Sequence, residues 1–472
     1  MGGNPLYVCT WTRRPGPATR LHNEIKRGLR EGMAAPITGG QGTAGGNAGG
    51  SQARTVLLLA FAVFFILGGV TNINDLLVGK FRPMFQLSHA EANLVQMAFF
   101  IAYALCSIPA GIVMSKLGYI RTFVLGFVMV ASAALLFIPA SNAASFGGFL
   151  AALFFIGAGI TVLQVAMNPV ITTLGPVETS HSRLTFAQAF NSIGVFLMVY
   201  GGAAVLLGDS QPLDPETASE AQIQAYRVAE GASIGQAYTW LAIVMLAMAA
   251  LFWMFRSAID QSKAQGVKLE GTFGLFLHNR RVQLGALCIF TYVGAEVAIG
   301  SNLIAYLGEQ SVMGLGLEAA GKLVAMYWLG ALIGRLLGGF ILRLAKPGRV
   351  LSAFAAAAIG LILLSALSTG SLSGYALILV GLCNSLMFPT IFSLGTEGLG
   401  EQTPQGSGIL CTAIVGGAIV PVLFGLVADI SNVRLALIVP AVCYAIIALF
   451  GVWTVRNPSR AHSGDSTGPM LN

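Results

Sequence analysis

Charged residues are scarce in this chain. Asp, Glu, Lys and Arg together make up 10% of its 472 residues, whereas apolar side chains make up 55%, and the mean hydropathy is +0.77. A soluble domain of this size covers its surface with charged side chains, and long uncharged runs are typical of helices that cross a bilayer. The shortage of charge therefore argues against a soluble fold and predicts a polytopic membrane protein.

The residues that most enzymes use for chemistry are also few. The sequence has 5 histidines, none of which lies inside an apolar run, and it shows no paired carboxylates, metal-ligand cluster or nucleophile motif. Of the 6 cysteines, all but Cys9 lie inside apolar runs, so no disulfide framework is expected. These absences argue against an integral-membrane enzyme, a cofactor and a metal site.

Long apolar segments alternate with short polar connections, and each is about long enough to cross a bilayer as a helix. They lie at residues 55–79, 92–114, 120–140, 146–173, 184–208, 236–256, 282–308, 320–342, 349–367, 373–396, 407–428 and 434–455. The sequence therefore predicts an all-α membrane protein with twelve transmembrane helices, numbered here in chain order.

The two halves of the chain share a sequence pattern. Pro169-Val-Ile-Thr-Thr-Leu-Gly175 recurs as Pro389-Thr-Ile-Phe-Ser-Leu-Gly395, each followed by a charged loop and another apolar segment. Such internal similarity predicts two parallel repeats of six helices, an arrangement that carries the substrate site at the midplane between them. We predict a disordered N-terminal tail at 1–53, a six-helix bundle at 54–256, a cytoplasmic linker at 257–281, a second six-helix bundle at 282–456 and a C-terminal tail at 457–472.

Basic residues are distributed unevenly between the two sides of the predicted membrane. Most of the 26 Lys and Arg residues lie before helix 1, in the linker, after helix 12 or in short connections on the same side. Because basic segments stay in the cytoplasm, both termini are predicted to be cytoplasmic, in a protein of the cell inner membrane. This bias also accounts for the pI of about 9.2 without nucleic acid as a partner. We expect a monomer, and Met33 is an alternative first residue.

Four side-chain amides concentrate in helices 4 and 5. Gln164 and Asn168 share one face of helix 4, and Gln188 and Asn191 share one face of helix 5. An unpaired amide in hydrocarbon costs several kcal/mol, so these faces must meet other helices or a watery cavity. Hydrogen bonding between helices explains any one of them as well as a binding site does. Four together favour a cavity that binds a ligand rich in hydroxyl groups.

Three ionisable residues lie well within the predicted helices: Asp75, Glu296 and Arg335. Each costs about 2.5 to 3.5 kcal/mol in a bilayer unless it is paired or faces water. Burial favours a neutral carboxyl group, so Asp75 is a candidate for taking up and releasing a proton. The structural alternative is that Asp75 pairs with Asn72 or Asn74. For Glu296 a structural role is as well supported as a functional one, and Arg335 is expected to be structural, through backbone carbonyls or by snorkelling.

Several motifs carry a resemblance to a known family. They are Asn72–Leu77, Pro109–Gly111 with Gly118–Tyr119, Leu163–Pro169, Arg183–Gly194 and Tyr292–Ser301. These motifs resemble those of the fucose-galactose-glucose:proton symporters of the major facilitator superfamily, and the similarity extends over all the apolar segments, from about Thr55 to Val455. The resemblance implies the major facilitator fold, sugar transport coupled to protons, and a protonation site at Asp75.

The same resemblance implies that Asn72, Gln188 and Asn191 contact the sugar. The chain departs from the fucose branch of the family at two positions. Gln164 stands where that branch has a glutamate, which can titrate, and Phe388 stands where a tyrosine is expected before the helix 10 proline. Gln164 and the helix 7 motif look more like the glucose, galactose and N-acetylglucosamine carriers of the family. One of these sugars is therefore expected rather than fucose.

These patterns define the expected site. The proton-coupling residues are Asp75 and Glu296, and the substrate-binding residues are Asn72, Gln164, Asn168, Gln188, Asn191, Tyr292 and Phe388. Phe388, Tyr327 or Trp328 is expected to stack on the apolar face of a pyranose. The expected function is import of a monosaccharide by proton symport, in a lipid bilayer and without a cofactor. A sugar uniporter, a sodium-coupled sugar symporter and an exporter of the same fold stay open as alternatives.

Overall fold

The structure, a computed structural model, describes residues 46–173, 180–208, 218–254, 272–399 and 402–458. Within these ranges, 12 helices are long and apolar enough to cross a membrane, which confirms the predicted all-α fold. They are α1 (Leu58–Phe85), α2 (Leu94–Met114), α3 (Tyr119–Asn142), α4 (Phe146–Met167), α5 (Ala187–Leu207), α6 (Glu220–Met254), α7 (Arg280–Gly308), α8 (Leu317–Gly338), α9 (Pro347–Leu367), α10 (Gly370–Thr396), α11 (Gln405–Ile430) and α12 (Val433–Arg456).

We name the parts of this bundle by their connections. The first half is α1–α6 and the second half is α7–α12. The linker end is the end at which α7 begins, preceded by the short helix Thr272–His278. The Ser88 end is the opposite one, where α1 and α2 are joined through the short helix His89–Ala92. The side chain of Ser88 caps that short helix by accepting a hydrogen bond from the backbone N–H of Glu91.

Helix α1 is longer than the hydropathy pattern predicts. It was expected to end at residue 79, but it continues to Phe85, so Lys80 and Arg82 lie inside the spanning segment instead of in a loop. Lys80 is buried and forms an ion pair with Glu230 of α6, which offsets the cost of placing a charge there. The helix ends at Gln86, which adopts a left-handed conformation. The expectation that only three ionisable residues lie well within the helices is therefore wrong.

Two other boundaries differ from the predicted ones. The helix that leads into α1 begins at Gly46, so residues 46–53, expected in a disordered tail, are helical. Once a membrane helix is nucleated, each added residue gains one hydrogen bond, and the helix extends into neighbouring sequence. For the same reason α6 begins at Glu220 and not near residue 236. Residues 1–45, most of the predicted linker, and residues 459–472 lie outside the described residues.

Helices α1, α10 and α11 are interrupted well within their spans. The breaks are at Ile73 in α1, at Ser385–Leu386 in α10 and at the 3-10 turn Ala413–Val415 in α11. The break in α10 has a local cause, because Pro389 lacks an N–H and its ring crowds the carbonyl of Ser385, four residues earlier. In transporters, interrupted helices leave backbone groups free near the substrate site.

The two halves meet through α2 with α11, α5 with α8, and the second segment of α1 (Asn74–Phe85) with α7. Close backbone contact seals the Ser88 end of this interface. A Cβ atom placed on Gly425 of α11 would lie 2.6 Å from the Cα atom of Ala90, so a larger residue at position 425 would force the halves apart. The Ser88 end is therefore closed in this structure.

Candidate functional site

Asp75 is buried between the two halves and is surrounded by hydrogen-bond donors. Its Oδ1 atom accepts hydrogen bonds from the Gln96 amide and the Ser301 hydroxyl, both at 3.0 Å. Its Oδ2 atom accepts one from the indole N–H of Trp328 at 3.1 Å. Gln96 belongs to the first half, whereas Ser301 and Trp328 belong to the second half. A single carboxyl group therefore ties the two halves together.

The local backbone brings Asp75 to these partners. Gly300 on α7 lies against the carboxyl group, and a Cβ atom there would be 3.1 Å from Asp75 Oδ2. The alternative expectation that Asp75 pairs with Asn72 or Asn74 is wrong. The Asn72 amide donates instead to the carbonyl of Gly68 in its own helix, at 3.0 Å, because the break at residue 73 separates it from Asp75. The amide nitrogen of Asn74 is buried and has no partner among the described residues.

A reciprocal pair of amides lies beside Asp75, toward the Ser88 end. The Asn93 amide donates to Asn302 Oδ1 at 3.0 Å, and the Asn302 amide donates to Asn93 Oδ1 at 3.1 Å. Both side chains are buried, and each belongs to a different half. Asn93, the residue that precedes α2, and Gln96 lie about one turn apart on the same side of the helix. This face of α2 therefore closes the Ser88 end over Asp75 with neutral hydrogen bonds.

A helix cap also joins the two halves at the Ser88 end. Asp429 of α11 accepts hydrogen bonds from the backbone N–H groups of His89 and Ala90, at 2.7 and 2.9 Å, at the start of the short helix before α2. A carboxylate at a helix N-terminus is stabilised by the free N–H groups and the helix dipole. Burial and the nearby Arg82 charge lower the pKa of His89 to about 4, although Asp429 acts in the opposite direction. His89 is therefore neutral while this end is closed.

The second acid inside a membrane helix, Glu296, lies one turn from Gly300 on α7. Its Oε1 atom accepts a hydrogen bond from the Tyr292 hydroxyl at 2.8 Å, and the residue is partly exposed. Arg335 of α8 interacts electrostatically with it. The same guanidinium donates a 2.5 Å hydrogen bond to the hydroxyl of Ser192 on α5. Arg335, expected to be structural, thus connects the two halves through a side-chain hydroxyl and not through backbone carbonyls.

A cluster of tyrosine hydroxyls surrounds the end of the first segment of α10. The Asn384 amide donates to the Tyr327 hydroxyl at 2.6 Å, and its Oδ1 atom accepts from the Tyr444 hydroxyl at 2.6 Å. The Asn384 backbone carbonyl lies 3.1 Å from the Tyr292 hydroxyl. Tyr327 also donates to the backbone carbonyl of Glu296, at 3.1 Å. The cluster joins α7, α8, α10 and α12 around Glu296.

The amides expected to bind substrate differ in their contacts. Gln164 and Gln188 are partly exposed, and their side chains have no hydrogen-bond partner in the part of the chain that the structure describes. Because an unpaired amide is costly in hydrocarbon, the two glutamines face water or ligand. Asn191 donates instead to the backbone carbonyl of Phe64 in α1, at 3.1 Å. The side chain of Asn168 lies outside the described residues.

The aromatic residues expected to stack on a sugar also differ. The rings of Tyr327 and Trp328 are buried, and both carry hydrogen bonds to buried acceptors. Phe388 is partly exposed, and its ring centroid lies 6.2 Å from that of Tyr292. Of these expected aromatic residues, Phe388 is the one that is partly exposed, and its ring also stacks against Phe392, with the centroids 6.1 Å apart.

Sequence reasoning did not identify Gln96, Ser301 or Asn384 as members of these clusters. A signal was present, because each is a polar side chain within a long apolar segment. Helical periodicity assigns such a residue to a face of its own helix only. The partner on a distant helix is determined by tertiary packing.

Comparison with known proteins identifies the family of this chain. The chain matches the Major Facilitator Superfamily model over residues 56–414. It is 40% identical over 392 residues to the glucose/galactose transporter of Brucella abortus, which covers 83% of this chain and 92% of that protein. It is 34% identical over 411 residues to the L-fucose-proton symporter of Escherichia coli, with 84% and 93% covered.

A solved structure is similar as well. The crystal structure of the transporter FucP in the outward conformation superposes with a TM-score of 0.66 at 32% identity, covering 85% of this chain and 99% of that one. The chain therefore belongs to the Major Facilitator Superfamily and is a membrane transporter, not an enzyme. Within the superfamily it is a member of the fucose-galactose-glucose:proton symporter family.

Proposed function

We propose that this transporter imports a monosaccharide together with a proton, by alternating access of its two halves to a site at the midplane. Glucose, galactose or N-acetylglucosamine is the proposed substrate class, in preference to fucose. The proteins named glucose/galactose transporters are 37% to 40% identical to the chain, and the Escherichia coli protein named for L-fucose is 34% identical. The proposed setting is the cell inner membrane, as a monomer with both termini in the cytoplasm.

The observation that carries this proposal is the position of Asp75 between the halves. Its carboxyl group accepts three hydrogen bonds, two of them from the second half. When the halves separate at the Ser88 end, the bonds from Ser301 and Trp328 must break, and the carboxylate loses most of its partners. A proton then takes their place, because protonation removes the charge that those donors stabilised.

This exchange sets the direction of coupling. In the proposed orientation the Ser88 end faces outward, so Asp75 gains its proton while the transporter is open to the outside. Closing the Ser88 end restores the bonds from Ser301 and Trp328, which stabilise the carboxylate against the cost of its burial, so that the proton can be released once the linker end opens. The sugar and the proton then leave at the linker end. One proton that crosses with each sugar contributes about 2.3 kcal/mol per 100 mV, roughly 1.7 decades of accumulation.

The proposed sugar site lies on α1, α4, α5, α7 and α10. Gln164 and Gln188 offer amides that donate and accept at once, which matches the hydroxyl groups of a sugar. Phe388 offers a ring for the apolar face of a pyranose, beside Tyr292. Asn72, Asn168 and Asn191 complete the proposed set of contacts. Asn72 and Asn191 would exchange their present backbone partners for substrate.

Uptake into proteoliposomes tests the proposal. Purified protein is reconstituted, and labelled glucose, galactose, N-acetylglucosamine and fucose are supplied with a pH gradient or a sodium gradient imposed separately. We expect uphill accumulation of one of the first three sugars with the pH gradient alone, accompanied by alkalinisation of the outer medium. Accumulation with sodium alone would establish a sodium-coupled symporter, and equilibration without accumulation would establish a uniporter. Either result would overturn proton symport.

A further inference from the structure

The Tyr292 hydroxyl has two acceptors and only one hydrogen. It lies 2.8 Å from Glu296 Oε1 and 3.1 Å from the backbone carbonyl oxygen of Asn384. A phenol hydroxyl donates one hydrogen bond and can accept others. Tyr292 can therefore donate to the carboxyl group or to the carbonyl group, but not to both at once. Which one receives the hydrogen depends on the charge of Glu296.

The two charge states of Glu296 give two hydrogen-bond arrangements. When Glu296 is ionised, Tyr292 donates to the carboxylate, because a charged acceptor forms the stronger bond. When Glu296 is protonated, its own O–H donates to the Tyr292 oxygen, and the Tyr292 hydrogen turns about the C–O bond to the Asn384 carbonyl. No proton leaves tyrosine in this change. The protonated state thus gains a hydrogen bond from α7 to α10, and every donor keeps an acceptor.

The Asn384 carbonyl is suited to receive this bond. Asn384 is the last residue of the first segment of α10, where the helix is interrupted, so its carbonyl is among those without an intrahelical partner. Its side-chain amide is already occupied by Tyr327 and Tyr444. The backbone carbonyl is therefore the group of Asn384 that remains for Tyr292.

Other ionisable groups face this site from neighbouring helices. The positive charge of Arg335 on α8 attracts the Glu296 carboxylate, whereas an ionised Asp75 on α1 repels it. The hydroxyls of Tyr327 on α8 and Tyr444 on α12 complete the surroundings. Glu296 is also partly exposed, so a proton can reach it. The protonation of a carboxyl group that lies near both a cation and an anion depends on the charge of each of them.

We propose that Glu296 is a second proton-binding group and that Tyr292 transmits its protonation to the break in α10. Phe388, the ring proposed to stack on the sugar, follows Asn384 by one helical turn across that break. Protonation of Glu296 therefore anchors the end of the first segment of α10, from which the segment that carries Phe388 continues, and increases sugar affinity. This inference rests on the proposed proton symport and adds a second group that links proton binding to sugar binding.

The test measures how sugar affinity depends on pH after the contribution of Asp75 has been removed. Each variant is built in an Asp75→Asn background, and the dissociation constant of the accumulated sugar is measured in detergent between about pH 5.5 and 8.5. For Asp75→Asn alone, we expect the dissociation constant to rise about tenfold with pH as Glu296 ionises. Adding Tyr292→Phe or Glu296→Gln should reduce this change to about twofold or less, since the link to α10 is lost.

The matched control is Tyr444→Phe in the same background. Tyr444 is also a buried tyrosine that hydrogen-bonds Asn384, but its hydroxyl contacts the side-chain oxygen and not the Glu296 carboxyl. In this control the dissociation constant should still rise about tenfold with pH. A change that disappears only with Tyr292→Phe or Glu296→Gln then reports proton linkage and not a general loosening of the hydrogen-bond cluster. Folding of each variant is checked by its elution profile and thermal unfolding.

The possible results separate this inference from the proposed function. A flat pH dependence in Asp75→Asn alone, or a full dependence that persists after Tyr292→Phe or Glu296→Gln, would overturn the inference. An equal loss in Tyr444→Phe would overturn it as well. Absence of sugar-driven proton entry in the unmodified protein would instead overturn proton symport itself, and the inference with it.

Discussion

The amides of Asn93 and Asn302 bond to each other in both directions, at 3.0 and 3.1 Å, across the two halves. Replacing Asn93 with Leu leaves Asn302 buried without its partner, at a cost of about 1 to 3 kcal/mol to the closed Ser88 end. We expect the variant to populate an arrangement in which the Ser88 end is open. Spin labels at Glu91 and Ile430, which are exposed on the two halves at this end, should report longer distances.

The double variant Asn93→Leu/Asn302→Leu provides the control for this prediction. Because both polar groups are then absent, no buried amide is left unpaired, and the distance distribution should return toward that of the unmodified protein. Equal opening in the single and double variants would contradict a role for the amide pair.

The second prediction concerns Asp75. Asp75→Asn resembles the neutral, protonated carboxyl, so the variant should still bind sugar and exchange labelled for unlabelled sugar across the membrane. It should not concentrate sugar under a pH gradient, because no proton can be released inside. Counterflow and gradient-driven uptake in the same proteoliposomes measure the two activities. Glu309→Gln, which removes an exposed acid near the same end, should accumulate sugar normally. Uphill accumulation by Asp75→Asn would transfer the coupling role to another group.

The third prediction separates binding from packing on α5. Gln188 has no partner among the described residues, so Gln188→Ala should weaken sugar binding by about 1 to 3 kcal/mol and leave the free energy of unfolding nearly unchanged. Asn191 bonds the Phe64 carbonyl, so Asn191→Ala should also lower the free energy of unfolding, by about 1 kcal/mol. Binding titrations and thermal unfolding of both variants measure the two effects. Unchanged affinity in both variants would assign these amides to helix packing.

The fourth prediction concerns orientation in the membrane. A reporter that is active only in the cytoplasm should work when it is fused after Ser262 or after Ser463, since the basic segments are predicted to stay inside. A reporter that is active only outside should work after Ala218. Reversed activity at Ala218 would reverse the assignment of the Ser88 end to the outside, and with it the direction of the proposed proton exchange.

Features of this fold that depend on consecutive residues can be predicted from the sequence, whereas contacts between separate helices cannot. The spanning helices are evident from hydropathy, because each depends on about twenty consecutive residues. Asp75 could be singled out as an acid in an apolar helix, but Gln96, Ser301 and Trp328 could not be assigned to it. Those contacts join four helices, α1 and α2 of the first half with α7 and α8 of the second, and periodicity carries no information on which faces meet.

The same limit applies to Lys80 and to Asn191. The hydropathy pattern predicts a loop at Lys80, because the free-energy cost of a lysine in the bilayer is calculated for a charge without a partner. The partner that offsets this cost, Glu230, lies on α6. Asn191 was expected to contact sugar. Its hydrogen bond to α1 is equally consistent with its position on the helix face. Sequence pattern cannot distinguish an amide that faces a cavity from one that faces a neighbouring backbone.

The placement of ion pairs has a consequence for the speed of the transport cycle. Among the described residues, the ion pairs Lys80–Glu230, Arg281–Glu397 and Lys322–Glu318 each lie within a single half. The seam that must open and close in every turnover is joined instead by hydrogen bonds, of which those of Asp75, Asp429 and Arg335 involve an acidic or basic side chain. Mobile ions screen buried contacts much less than exposed ones. Because Asp75 and the Asn93–Asn302 pair are buried, turnover should change much less with ionic strength than it would if exposed ion pairs joined the halves.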